Sequence, residues 1–146
     1  MNRILLQQVS ILSVLLGAAL GFFALIPFVG WIGFLVLMCL MSAIIIIFLL
    51  KVELLDMLEV RQSVVLGALI GFVAFIAFCA VYLPAVALLG KVFGLYSLYG
   101  ISVALRPGSL GIIILLVLFM AVLSATVNAF TAFLTFYLID FVKGNK

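Results

Sequence analysis

SVLLGAALGFFALIPF, residues 13–28, returns fifty residues further on as SVVLGALIGFVAFIAF, residues 63–78. Aligned without gaps, the two agree at 10 of 16 positions, where a chain this apolar would match at roughly two by chance. Paired glycines recur with them: Gly17 and Gly21 in the first copy, Gly67 and Gly71 in the second. Neither copy contains a charge, and neither alternates as a barrel strand would. In hydrocarbon every N–H and C=O must be paired within its own segment, so each copy predicts a helix in lipid.

The composition agrees. Of 146 residues, 71% are hydrophobic and 8% charged, with a mean hydropathy of +1.68; soluble domains carry about a quarter charged residues. A hydrocarbon core of about 30 Å needs about 20 helical residues, so the length holds four spans. The expected fold is all-α: one polytopic membrane domain of four transmembrane helices, arranged as two tandem, parallel-repeat hairpins with short interfacial helices. Repeat 1 covers residues 4–50, an amphipathic connector 51–62, and repeat 2 residues 63–141 with an interfacial insertion at 84–109. The net charge of +3 does not point to nucleic acid, because the bases are spread over loops and ends, where they flank a membrane.

Met1-Asn2-Arg3 followed by an apolar run with Gly17-Ala18-Ala19 has the outline of a secretory signal. The run continues well past Ala19 and its copy is internal, so residues 5–26 are expected to be a retained first span. Pro27-Phe28-Val29-Gly30 reads as a tight turn. A second span follows over residues 31–50, with Trp31 at the interface. In KVELLDMLEVR, residues 51–61, Glu53, Asp56 and Glu59 oppose Leu54, Leu55 and Leu58. That pattern suits a short amphipathic surface helix better than a carboxylate metal site, and no metal or cofactor is expected.

The third span is expected over residues 63–83 and to stop at Pro84. Residues 84–109 are apolar but carry Lys91, whose placement mid-bilayer would cost roughly 2.5 to 3.5 kcal/mol. This segment therefore reads as interfacial, with Lys91, Arg106, Tyr96 and Tyr99 available to headgroups or to an acidic partner. The fourth span fills residues 110–141. Arg3, Lys51, Arg61, Lys143 and Lys146 fall on one side of this arrangement, Lys91 and Arg106 on the other. The positive-inside rule puts both termini in the cytoplasm. The small four-span outline suits a bacterial inner membrane.

Within lipid, helices associate through close packing, which small residues permit. Ser13, Gly17 and Gly21 share one helix face; Ser63, Gly67 and Gly71 share another. On the fourth helix Ser124, Asn128, Thr131 and Thr135 follow i, i+4, i+7, i+11 and point one way, while Thr126 points elsewhere. The amide of Asn128 has two donors and an acceptor that lipid cannot satisfy. Interhelical hydrogen bonding is the expected role of this stripe, and a polar pathway the alternative. The stripes of the first, third and fourth helices are expected to converge in one interior. Cys39 and Cys79 read as small packing residues.

The sequence has no histidine, and its charged residues can all be placed outside the bilayer, so no catalytic constellation emerges. Two functional classes follow. The first is a non-enzymatic scaffold or accessory subunit whose partners are the bilayer and either copies of itself or a larger membrane complex. The second is a small transporter, channel or lipid-handling protein for an uncharged or amphipathic substrate.

Overall fold

A computed structural model describes residues 3–26, 29–51, 60–93 and 110–144. Among them helix is the one regular secondary structure, with a turn at residues 24–26. Four helices are long and apolar enough to cross a membrane, and the protein is an integral membrane protein of four-helix design.

The first helix, Arg3–Phe23, ends in a tight turn. The Leu25 and Ile26 N–H groups donate to the Phe22 and Phe23 carbonyls, and Gly30 N–H donates to Ile26. These bonds cap carbonyls that lipid would leave bare. A side chain at Gly30 would stand 2.7 Å from the Ala24 carbonyl oxygen, so glycine is what lets the turn close. Pro27 and Phe28 lie outside the described residues. The second helix, Val29–Lys51, starts two residues earlier than the sequence suggests. It is not uniform: Val29–Leu35 and Met41–Lys51 are α-helical, and Val36–Leu40 between them is a π turn.

The third helix, Val60–Phe93, corrects one expectation. It runs straight through Pro84, so residues 84–93 continue a spanning helix and form no separate interfacial piece. Proline forfeits one bond to the carbonyl four residues back, but a helix end at this point would bare several backbone groups, a larger loss in an apolar medium. The cost assigned to Lys91 also falls away. Gly17 lies against Ala74 and Gly21 against Phe78, so the first and third helices run parallel, with Phe23 level with Ala80. Lys91, eleven residues beyond Ala80, stands about 16 Å further along the helix axis and is exposed in the last turn. The fourth helix, Leu110–Gly144, is antiparallel to the third, since Gly67 meets Asn128 to Ala132 while Gly71 meets Ser124 and Asn128.

The third helix is the hub, packed against the first on one side and the fourth on the other. The core holds Val9, Leu37, Met41, Ile45, Leu66, Ile70 and Ala74. Toward the end of the bundle where the first and second helices join, Phe75, Phe78 and Tyr82 stack along the third helix, and Phe34 meets the rings of Phe75 and Phe78 edge-on with centroids 6.5 and 6.4 Å away. Outward faces are apolar, as lipid contact requires: Trp31 is 78% exposed, and Leu110, Ile112, Leu115 and Phe119 stand open along the fourth helix.

Candidate functional site

The two glycine pairs do different jobs. Gly17 and Gly21 let the first helix press onto the backbone of the third: a Cβ on Gly17 would collide with the Ala74 carbonyl oxygen, and one on Gly21 would lie 2.8 Å from that of Phe78. Gly67 and Gly71 face the other way, toward the fourth helix. A Cβ on Gly67 would collide with the Ala132 methyl, and one on Gly71 would meet the Ser124 carbonyl oxygen at 2.6 Å. These approaches lie well inside ordinary carbon contact of about 3.5 to 4.0 Å, so only a residue without a side chain fits. Ser13 is buried and its hydroxyl donates to its own helix at Val9, 2.7 Å away. Ser63 is buried as well.

The fourth-helix stripe converges on the π turn. Asn128 is fully buried, and its Oδ1 accepts the Ser42 N–H at 2.9 Å. Its amide nitrogen lies 3.1 Å from the Leu37 carbonyl, 3.0 Å from that of Met38 and 3.0 Å from that of Ser124. Two N–H protons serve these acceptors, with the Ser124 hydroxyl more distant at 3.4 Å. In return the Ser42 hydroxyl donates to the Asn128 backbone carbonyl at 2.8 Å. One turn along, the Thr131 hydroxyl is 2.8 Å from the Cys39 carbonyl and 3.0 Å from its own Val127 carbonyl. Three successive carbonyls of the π turn, Leu37, Met38 and Cys39, thus receive donors from the fourth helix.

The physical reason is the geometry of the turn. A π turn shifts carbonyls off the regular i→i+4 ladder, and lipid offers no water to satisfy them. Asn128 inserts its amide between the Ser42 N–H and the Leu37 and Met38 carbonyls, acting as donor and acceptor at once. Ser124 joins the third helix, its hydroxyl donating to the Gly71 carbonyl at 3.1 Å. Thr135 bonds only within its helix here, to the Thr131 carbonyl at 2.8 Å, and Thr126 bonds to Val122 on an exposed face. Among the described residues no buried side-chain nitrogen or oxygen lacks a partner.

The arrangement therefore differs in one respect from the sequence expectation of a centre shared by the first, third and fourth helices. The stripe of the fourth helix does meet the glycines of the third, but the first helix packs on the far side of the third and the stripe turns to the second helix. Ser42, which is fully buried, is the partner that sequence reasoning did not single out; a lone serine in an apolar run carries no signal of its own. Of the two cysteines, both free, Cys79 is buried among core residues and Cys39 is exposed, so the packing role fits Cys79 alone. Tyr96, Tyr99, Arg106 and the acidic residues of the 51–62 connector lie outside the described residues, while its ends, Lys51 and residues 60–62, belong to the second and third helices. Within those described, no three potential metal ligands come together. Comparison of the chain with protein-family models, with curated proteins and with solved structures gives no match.

Proposed function

We propose that this chain is a small non-enzymatic scaffold or accessory subunit of a bacterial inner membrane, with both termini cytoplasmic, which engages copies of itself or a larger membrane complex through its outer helix faces. The observation that supports this reading is the state of Asn128. Asn128, the one amide among the buried polar side chains of the described residues, spends its bonding capacity on Ser42, Leu37, Met38 and Ser124. Polar groups used this way hold helices to one another and leave no free group for a solute. A transporter, channel or lipid-handling protein would need that stripe open to water or substrate.

Extraction into a mild detergent or native nanodiscs, followed by mass measurement and identification of co-purifying chains, tests the proposal. A discrete assembly larger than the 15.8 kDa protomer is the expected result. A partnerless monomer that conducts solute across reconstituted vesicles would overturn it and install the transport reading.

A further inference from the structure

The buried positions of the second helix follow an unusual step. Gly33, Leu37, Met41, Ile45 and Leu49 are all buried, each four residues after the last, and Met38, Ser42 and Ile46 repeat the step beside them. An α-helix advances 100° per residue, so four residues overshoot a full turn by about 40° and the series would carry Leu49 about 160° from the face of Gly33. The π turn at Val36–Leu40 absorbs about one residue, or about 100°, of that drift and keeps both halves of the helix facing the bundle.

The turn is held from outside. Its donors and acceptors are met by Asn128 and Thr131, which lie on another helix, and π turns are otherwise rare because ordinary α winding is available to the same residues. We propose that the second helix is a two-position element latched by Asn128: when the amide withdraws, residues 36–40 wind into regular α-helix and Val29–Leu35 turns by about 100° against Met41–Lys51. The outer half is the part that moves. Met41, Ser42, Ile45, Ile46 and Leu49 anchor the inner half, whereas Gly33 is the one buried residue of Val29–Leu35. The rotation lifts Phe34 off Phe75 and Phe78 and re-aims Trp31, so it changes the shape that the outer end of the bundle shows to lipid or to a neighbouring chain.

The test uses full-length protein in which Cys39 and Cys79 are alanine and a cysteine pair replaces Phe34 and Phe78. A short thiol-bridging reagent should link the pair in the latched state. In this background Asn128→Leu should lower the yield about tenfold, the population change that about 1.4 kcal/mol produces. Deleting Leu40 from the Asn128→Leu variant should restore the link, because one residue fewer lets a regular α-helix bring both halves into phase. If Asn128→Leu alone fails to fold, recovery of folding and linkage on deleting Leu40 supports the latch equally. An unchanged link in Asn128→Leu overturns the proposal. So does failure of the deletion to restore either folding or linkage.

Discussion

Replacing Gly71 by alanine adds one methyl group where the third helix presses closely on the fourth. The new carbon would stand 2.6 Å from the Ser124 carbonyl oxygen and 2.8 Å from the Asn128 Cβ, about 1 Å short of ordinary contact. Neither neighbour is the free end of a flexible chain, so the third and fourth helices must part. Overfilling of this kind costs about 1 to 3 kcal/mol. Parting also stretches the 3.1 Å bond from the Ser124 hydroxyl to the Gly71 carbonyl, worth about 0.6 kcal/mol between membrane helices. Set against the up to about 1 kcal/mol by which alanine favours a helix over glycine, the expected net loss is about 1 to 3 kcal/mol. Equilibrium unfolding in mixed micelles, followed through the single tryptophan, Trp31, measures it. Gly111→Ala is the matched control: a Cβ there meets nothing within 4 Å, and alanine favours helix by up to about 1 kcal/mol over glycine. Gly71→Ala falling within about 0.5 kcal/mol of the parent, the range of inert surface changes, would refute the close-contact reasoning. Equal damage from the two glycine variants would refute it as well.

Three further outcomes follow from the same geometry. Gly17→Leu and Gly67→Leu should be comparably destabilising in that assay, because each residue abuts backbone or a short side chain of a neighbouring helix that cannot step aside. Ser42→Ala removes the donor to the Asn128 carbonyl but keeps the Ser42 N–H; it should cost about 0.6 kcal/mol and no more than about 1.7, well below the effect of removing the Asn128 amide. In a background with Cys39 and Cys79 replaced by alanine, a cysteine at Gly144 should react with an impermeant reagent only from the cytoplasmic side and one at Leu110 only from outside; labelling of Gly144 from outside would reverse the proposed orientation.

The number of spanning helices was legible because apolar runs of about 20 residues have few other uses. Helix ends were less so. Pro84 reads as a stop in water, where the backbone beyond it can be solvated, and that logic fails in lipid. Asn128 announced its need for partners through its amide, but nothing in the sequence named the helix that would supply them. The π turn left no trace at all. Residues 35–41 read LVLMCLM, and with apolar side chains on every face no periodicity distinguishes α from π winding. Only the four-residue step of the buried positions reveals it, and that step becomes visible once the bundle is assembled.

The clamp on the second helix also sets a timetable. Leu37 and Asn128 are separated by 91 positions in the chain, and a ribosome adding about 5 to 20 residues per second takes roughly 5 to 18 s to cover that distance. Throughout this interval the second helix has been made while the asparagine that holds its middle turn has not. A nascent chain halted after the third helix therefore carries an incomplete second helix, whose outer half has yet to be set at its final angle. Birth of the last segment therefore completes the second helix as well as adding a fourth.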